Sequence, residues 1–315
     1  MLDGQGPDCG HTVDGMADQP RAWDFATAPP HSAPGVTSMV GYRALDVPEA
    51  VHRGMPSSRL VFIVSLDDGL MAATSAESLS TARPTPVVLG GLHVQASLVG
   101  QNPGQAGVQL AVHPLAARAL FGVPAAELSV TDFDAAPVLG AGSVELHERA
   151  AEARQWPDIF ALVAQYLIDA RRERVVRPEL AHAWHLLESS RGRVPVARVA
   201  ERVGLSTRHL TTLFRRELGR TPKTVAMLMR FEYATSRIAA AALRPRRIDL
   251  AGVAVDAGYA DQAHLTREFV RFAGVSPRAW LAAEFRNVQY GTPSLGSQWV
   301  HDSADPYRLV DPAGA

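Results

Sequence analysis

The stretch HLTREFVRFAGVSP at residues 264–277 repeats an earlier one, HLTTLFRRELGRTP at residues 209–222. Seven of the fourteen positions carry the same residue in both copies, at an offset of 55 residues. The identical pairs are His209 and His264, Leu210 and Leu265, Thr211 and Thr266, Phe214 and Phe269, Arg216 and Arg271, Gly219 and Gly274, and Pro222 and Pro277. An internal repeat of this kind indicates that the chain contains the same structural unit twice.

Each copy predicts a helix whose two ends can be recognised. Leu and Phe lie four residues apart and share one helical face, and a glycine follows the last turn, where a left-handed residue is favoured. A shorter apolar helix that also ends in glycine precedes each copy, VARVAERVG at 196–204 and LAGVAVDAG at 250–258. Because a short helix, a tight turn and a second helix form a helix-turn-helix unit, we expect two such units.

The segment between the units, PKTVAMLMRFEYATSRIAAAAL at 222–243, predicts one long helix. It lacks Gly and internal Pro and is rich in Ala, Leu and Met. At 1.5 Å per residue it would span about 33 Å, while successive major grooves on one face of DNA lie ~34 Å apart. The repeat is therefore expected to let one chain enter two consecutive grooves.

Charge is distributed unevenly along the chain. Residues 176–290 carry a net charge of +9, with 19 Lys and Arg against 10 Asp and Glu. Residues 1–175 carry −8 and residues 291–315 carry −2. A basic third beside an acidic half favours contact of the basic part with nucleic-acid phosphates. This asymmetry argues against the alternative that the two helical hairpins are only a repeat core.

The outward face of the second helix in each unit carries the candidate DNA contacts. In the first unit, helical spacing places Arg208, Thr211, Thr212 and Arg215 opposite the buried Leu and Phe. In the second unit the same face carries Gln262, Ala263, Thr266 and Arg267, with His264 beside them. Arg and Gln are the side chains that hydrogen-bond guanine and adenine edges in a major groove. One such helix alone would suggest an ordinary solvated face, but two units and the positive charge favour DNA.

The two units together closely resemble the DNA-binding domain of AraC/XylS-type transcriptional regulators over residues 178–290. The residues that carry the resemblance are Ala200, Val203, Gly204, Leu205, Ser206, Leu210, Phe214, Gly219, Pro222, Ala254, Ala257, Gly258, Tyr259, Asp261, Gln262, Leu265, Phe269, Gly274, Ser276 and Pro277. The resemblance implies an all-α DNA-binding domain whose base-facing positions are Arg208, Thr211, Thr212, Gln262, Ala263, His264 and Arg267. The short side chains among them favour methyl contact or none.

The N-terminal half predicts a β-rich domain followed by helices. Short runs rich in Val, Leu and Ile occupy residues 36 to about 112, separated by Gly, Pro and Asp, and helical patterns follow from residue 113. The stretch GVQLAVHPLAARALFGVPAAELS also resembles the β-rich, sensor-like N-terminal region of one AraC-type subfamily. We therefore expect an α+β two-domain fold with a β-rich N-terminal domain with trailing helices. The expected boundaries are a disordered tail over 1–35, an effector or dimerisation domain over 36–170, a linker over 171–177, the DNA-binding domain over 178–290 and a tail over 291–315.

Motifs for catalysis, metal binding or membrane insertion are not recognised in the sequence. His52, His93, His113 and His147 are isolated, and the sequence has neither a Gly-rich phosphate loop nor a nucleophile elbow. The acidic N-terminal segment is unlike a signal peptide, and no run approaches the 18 apolar residues of a membrane span. The single cysteine, Cys9, excludes a disulfide within the chain and suits a reducing cytoplasm. We expect no enzymatic activity, cofactor or metal.

The sequence thus predicts a cytoplasmic transcription regulator that binds promoter DNA, with an enzyme or small-molecule binding protein carrying a helical regulatory appendage as the alternative. A small-molecule effector and RNA polymerase are the further expected partners. A homodimer is also expected, because the helix WPDIFALVAQYLIDARR has a broad apolar face. That face comprises Ile159, Phe160, Leu162, Val163, Tyr166 and Leu167. The operator, the effector, and the choice between activator and repressor are left open.

Overall fold

The computed structural model describes residues 23–242 and 248–284, and within them the N-terminal half contains eight strands. The strands are β1 (Trp23–Thr27), β2 (Val36–Ala44), β3 (Ala50–Gly54), β4 (Leu60–Ser65), β5 (Ala72–Ala73), β6 (Val87–Gly90), β7 (Ser97–Gln101) and β8 (Ala106–Val112). A five-stranded antiparallel sheet has the order β1-β2-β8-β4-β6, and a three-stranded sheet has the order β3-β7-β5.

The larger sheet is buried on both faces, because successive side chains of a strand point to opposite sides. On β4, Phe62 and Val64 belong to the main apolar cluster, which also contains the helices that follow the sheets. Their neighbour Ile63 packs with Tyr42 and Val88 in a separate cluster on the side of the smaller sheet. The larger sheet is therefore the middle layer between helices and the smaller sheet.

Helices make up the rest of the described chain. The N-terminal half contains α1 (Ala76–Ser80), α2 (Ala117–Phe121), α3 (Ala136–Leu139), α4 (Ala141–Glu152) and α5 (Trp156–Ala170), with 3-10 turns at Pro114–Ala116 and Ala125–Glu127. The C-terminal half contains α6 (Pro178–Ser189), α7 (Val196–Arg202), α8 (Thr207–Leu218), α9 (Pro222–Ala242), α10 (Leu250–Asp256), α11 (Gln262–Ala273) and α12 (Pro277–Glu284).

This architecture confirms the predicted α+β fold class, with a β-rich N-terminal part and helices alone in the described C-terminal part. The long helix expected over 222–243 is present as α9 up to Ala242, and residue 243 lies outside the described residues. Between α5 and α6, residues 171–177 form neither helix nor strand. None of the helices in 23–242 and 248–284 is both long and apolar enough to cross a membrane.

The expectation of a disordered segment over 1–35 is wrong for residues 23–35. Strand β1 pairs with β2 along its whole length, from Trp23 opposite Ala44 to Thr27 opposite Val40. The Trp156 indole on α5 also donates a 3.0 Å hydrogen bond to the Asp24 carboxylate. The Gly- and Pro-rich composition misled the prediction, because the strand depends on a partner distant in sequence. Residues 1–22, with Cys9, and the tail 291–315 lie outside the described residues.

The apolar face of α5, predicted from the sequence to contact a second copy of the chain, is buried within the molecule itself. Val163 and Leu167 are both 0% exposed and lie in the main apolar cluster of the same molecule. A helix with a broad apolar face is needed here because α5 packs against β2, α2 and α4 at once. The prediction that Val163 and Leu167 form a dimer surface is therefore wrong.

Polar contacts join the N-terminal half to the helices of the C-terminal half. In the loop between β3 and β4, the hydroxyls of Ser57 and Ser58 donate to the two carboxylate oxygens of Glu232 on α9, at 2.9 and 2.6 Å. The next residue of that loop, Arg59, pairs with Glu188 on α6. The loop between β6 and β7 makes two further contacts: Arg220 Nε donates to the Leu92 carbonyl at 2.6 Å, and the Ala96 amide donates to the Phe272 carbonyl at 2.7 Å.

His113 is a buried, neutral group at this junction. Its ring lies 5.1 Å from the ring of Trp184 on α6, and its Nδ1 accepts a 3.2 Å hydrogen bond from the Leu115 amide. Burial, with a smaller contribution from the Arg59 charge, lowers the pKa of His113 to about 3, while Glu188 acts in the opposite direction. The imidazole therefore stays unprotonated in the folded protein under mildly acidic conditions.

We expect His113 to make the folded protein sensitive to acid. As the pH falls below 6.5, the unfolded imidazole takes up a proton and the folded one does not, so protonation favours unfolding. The free energy of unfolding should fall by about 1.4 kcal/mol per pH unit from this group. Urea unfolding between pH 7 and 5 should show a smaller pH slope for His113→Phe than for the native protein. An unchanged slope in His113→Phe would contradict the assignment.

Candidate DNA-binding surface and N-terminal cavity

The first helix-turn-helix unit consists of α7 and α8, joined at a tight turn. Gly204 adopts a φ of +70°, a conformation that side chains with a Cβ rarely take. Ser206 then caps α8 by accepting a 3.2 Å hydrogen bond from the His209 amide. Leu210 and Phe214 are fully buried, so the helix is held by this face and presents the opposite one to solvent.

The second unit repeats this construction with α10 and α11. Gly258 has a φ of +80°, and a Cβ at this position would lie 2.8 Å from the Arg193 side chain. Asp261 caps α11 by accepting a 2.6 Å hydrogen bond from the His264 amide. Leu265 and Phe269 are buried as their counterparts are in the first unit. The two units are thus built alike, as the sequence repeat predicts.

The outward face of α8 carries the four candidates of the first unit. Arg208, Thr212 and Arg215 are exposed and Thr211 is half-buried. Both threonine hydroxyls donate back into the helix, Thr211 to the Thr207 carbonyl at 2.8 Å and Thr212 to the Arg208 carbonyl at 3.1 Å. Since these hydroxyl hydrogens are already used, the threonines can offer DNA a methyl group or an acceptor oxygen.

The outward face of α11 carries the candidates of the second unit. Gln262, Ala263 and Arg267 are exposed, whereas His264 is half-buried. The His264 ring packs edge-on against Tyr259 at 5.2 Å, and its Nδ1 accepts a 3.4 Å hydrogen bond from the Ala260 amide. The proton of the neutral ring then lies on Nε2, which makes this nitrogen a donor for a purine acceptor.

A buried polar network behind α11 was not foreseen in the sequence. Glu268 is 7% exposed and accepts a 2.8 Å hydrogen bond from the Tyr259 hydroxyl. Arg230 on α9 lies 3.8 Å from the same carboxylate and 5.5 Å from the centre of the Tyr259 ring. Burial, followed by the Glu268 charge, raises the pKa of Tyr259. The network joins α9, the turn between α10 and α11, and α11 itself. The sequence signal for it was the acidic Glu268, which lies on the same face of α11 as Leu265.

The N-terminal half contains a cavity of about 90 Å³ between the two sheets. Its walls are apolar for the most part, with Leu60, Ile63, Leu70, Val88, Val99 and Phe133. Polar side chains also line it, namely Tyr42, His52, Ser57, Arg59, His93, Ser97, Gln101, Gln105 and Gln109. Burial, more than any other cause, lowers the pKa of His93 and raises that of Tyr42. Among residues 23–242 and 248–284, no group of three His, Cys, Asp or Glu side chains is placed to hold a metal.

Comparison with known proteins gives one family match and several similar structures. A family model described as a helix-turn-helix domain matches residues 199–283, from α7 into α12. No curated protein sequence matches the chain. ToxT from Vibrio cholerae O395 has a TM-score of 0.44 and 11% identity, over 83% of this chain and 98% of that one. ToxT of the same strain bound to (E)-4-(8-methylnaphthalen-1-yl)but-3-enoic acid has a TM-score of 0.45 and 11% identity, over 82% and 98%.

Proposed function

We propose that this chain carries the AraC/XylS-type helix-turn-helix domain of a DNA-binding transcription regulator. From this premise, we propose that α8 and α11 enter two successive major grooves of promoter DNA. One observation carries the proposal: two helices of the same construction, one before and one after α9 in the chain, expose Arg208 in the first turn of α8 and Arg267 in the middle of α11. The 21 residues of α9 span about 32 Å at 1.5 Å per residue. This length suits grooves ~34 Å apart.

The eight candidate residues divide into two roles. Arg208, Gln262, His264 and Arg267 offer donors to base edges, and the exposed Ala263 and the two threonines of α8 suit contact with thymine methyl groups. Arg215 lies in the last turn of α8, where a guanidinium is expected nearer the phosphates. The first group would decide which sequence is bound, and the second would raise affinity for any duplex.

We assign effector sensing to the cavity of the N-terminal half. Support comes from the two loops that contact the helices of the C-terminal half, since both contribute to the cavity wall. Ser57 and Arg59 line the cavity and bond to α9 and α6. His93 lines it from the second loop, whose neighbouring residue Leu92 accepts from Arg220. A molecule in the cavity could therefore alter how the two halves are held together.

The proposal also includes a homodimer, contact with RNA polymerase and a cytoplasmic location. A dimer would engage two DNA sites at once and so gain affinity. With the inner face of α5 buried, Val144 on α4 and Ile168 on α5 are the large apolar side chains that these two helices leave exposed. The cytoplasm suits a chain with one cysteine that binds promoter DNA.

The test separates sequence-specific recognition of DNA from sequence-independent binding. Arg208→Ala and Arg267→Ala should each weaken binding to the cognate duplex by about 1 to 3 kcal/mol and relax preference at one base pair, with much less effect on scrambled DNA. The two losses should be nearly additive, because the helices address different grooves. Arg215→Ala should weaken binding to both duplexes and make the salt dependence shallower by about one unit.

Binding isotherms at several salt concentrations, on a duplex selected from a random library and on its scrambled version, would measure these effects. Arg83→Ala removes the same charge from an exposed position of the N-terminal half and should change neither affinity. If Arg267→Ala lowered both affinities equally, Arg267 would be a phosphate contact and not a base-reading residue. If the native protein selected no duplex from the library and bound DNA of any sequence equally, the proposed function would be wrong.

A further inference from the structure

The second helix-turn-helix unit has a buried acidic side chain where the first unit has an apolar one. At the repeat offset of 55 residues, Glu268 on α11 corresponds to Leu213 on α8, and both are buried, at 7% and 2% exposure. Directly after the two turn glycines, Tyr259 likewise takes the place of Leu205. Since the first unit forms with two leucines at these positions, the helix-turn-helix construction itself does not require the polar pair.

Glu268 is held by two polar partners. Its carboxylate accepts a 2.8 Å hydrogen bond from the Tyr259 hydroxyl and lies 3.8 Å from the Arg230 guanidinium. A buried carboxylate needs such partners, because it is costly when it is unpaired. Apolar side chains of similar volume can stabilise a buried site as well as a buried ion pair does. Stability alone therefore does not account for a glutamate at this position.

The network fixes the ring of Tyr259 at both ends. Its hydroxyl donates to Glu268, and burial, followed by the Glu268 charge, raises the pKa of Tyr259, so the hydroxyl keeps its proton. Its backbone amide donates to the Ala254 carbonyl at 2.8 Å, which holds the turn. The Arg230 guanidinium lies 5.5 Å from the ring centre and adds a cation–π contact. The ring therefore has little freedom to leave its place.

His264 packs against this fixed ring. His264 and Glu268 lie four residues apart and are neighbours on the surface of α11. The Tyr259 ring bridges them, with its hydroxyl on Glu268 and its centre 5.2 Å from the His264 ring, at an angle of 82°. The Ala260 amide donates to His264 Nδ1, which leaves Nε2 as the ring donor. In the first unit, the corresponding His209 is exposed. The second unit thus orders a histidine ring that the first unit leaves in solvent.

We propose that Glu268 and Tyr259 are positioning residues that set His264 to read one base pair in the major groove entered by α11. This inference rests on the proposed DNA-binding function and adds residues that govern specificity from inside the protein. Glu268 acts through the Tyr259 hydroxyl, and Tyr259 acts through the His264 ring. The Nε2 hydrogen of that ring suits N7 of a purine or O6 of guanine.

Single base-pair substitutions across the duplex selected from the random library test the proposal on the full-length chain. His264→Ala should reduce the native preference at one base pair by about threefold to tenfold, the range for one hydrogen bond. Tyr259→Phe removes only the hydroxyl that Glu268 holds, and it should reduce the preference at the same base pair at least about twofold. Preferences at the other base pairs should stay native in both variants.

A double variant reproduces the apolar pair of the first unit. Tyr259→Leu combined with Glu268→Leu should lose the preference at that base pair as fully as His264→Ala does. Adding His264→Ala to the double variant should then cause no further loss, because the ring that it removes is no longer held in place. Urea unfolding followed by far-UV circular dichroism checks that each variant folds. If the double variant does not fold, Tyr259→Phe decides.

Two controls separate positioning from stability. Glu268→Gln still offers the Tyr259 hydroxyl a hydrogen-bond partner and should keep most of the preference. Leu213→Ala creates a cavity at the corresponding buried position of α8 and should lower the stability of the domain. Because Leu213 lies outside the network, its replacement should leave the preference at the His264 base pair unchanged.

Each remaining result overturns the proposal. An unchanged preference in folded Tyr259→Phe, beside a reduced one in His264→Ala, would show that the network is only structural. An equal loss at all base pairs would show that it holds α11 as a whole, and a native preference in His264→Ala would show that His264 reads no base. These three results leave the proposed function standing, whereas a native protein that selects no duplex would overturn both.

Discussion

Replacing Glu188 by Ala is expected to lower the free energy of unfolding by about 3 kcal/mol, the lower end of what removing one partner of a buried ion pair does. Glu188 on α6 pairs with Arg59, and the two side chains are only 18% and 14% exposed. Without the carboxylate, the guanidinium keeps its charge but loses its partner in a largely dehydrated place. The remaining contact of Arg59, with the face of Trp184, offsets only part of that loss. Urea unfolding followed by far-UV circular dichroism measures the change.

Two further variants identify the cause of the loss. Glu201→Ala removes the same type of side chain from an ion pair with Arg198 that is exposed on both sides, and it should change stability little. The double variant Arg59→Met with Glu188→Leu should recover most of the native stability, because apolar side chains of similar volume can replace a buried ion pair. A double variant as unstable as Glu188→Ala alone would show that the unpaired charge is not the reason.

This ion pair also forms part of the contact between the two halves. Arg59 belongs to the wall of the cavity, while Glu188 belongs to the first helix of the C-terminal half. Ser57 and Ser58, the two residues before Arg59, bond to Glu232 on α9, which leads from the first helix-turn-helix unit to the second. One loop of three consecutive residues thus contacts the cavity, α6 and α9. Under the proposed effector role, a change in the shape of the cavity would reach α6 and α9, the helices that flank the first helix-turn-helix unit, through this loop.

The sequence predicts the C-terminal half well because its signals are local. Helix caps at Ser206 and Asp261, glycine turns and apolar residues spaced by three or four all act within one or two helical turns. The repeat at an offset of 55 residues supplied the order of the helices without any knowledge of tertiary contacts. The eight candidate DNA contacts follow from the same periodicity, and the structure places six of them exposed on α8 and α11 and leaves Thr211 and His264 half-buried.

Features that depend on distant partners were not predictable in the same way. Strand β1 is ordered by pairing with β2, and the Ser57–Glu232 bond joins residues 175 positions apart. The network of Glu268 with Tyr259 and Arg230 needs α9 to lie against α11, which the helical pattern of α11 alone does not reveal. The cavity arises only when two sheets pack face to face. Hydrophobic periodicity shows that a face is buried but does not show which surface buries it.

The last expected result concerns α5, whose apolar face is buried within the same molecule. Val163→Asp should abolish the folded state or lower the free energy of unfolding by more than about 4 kcal/mol, because it places an unpaired carboxylate where Val163 is 0% exposed. Ile168→Asp on the same helix is the control, since Ile168 is 43% exposed and its replacement should leave the fold intact. Far-UV circular dichroism and urea unfolding measure stability, and size-exclusion chromatography with light scattering measures mass. Recovery of Val163→Asp as a stable folded monomer from a native dimer would instead restore the inner face of α5 as the dimer surface. A lowered mass in Ile168→Asp alone, with native stability, would place the contact between copies on the outer face of the helix.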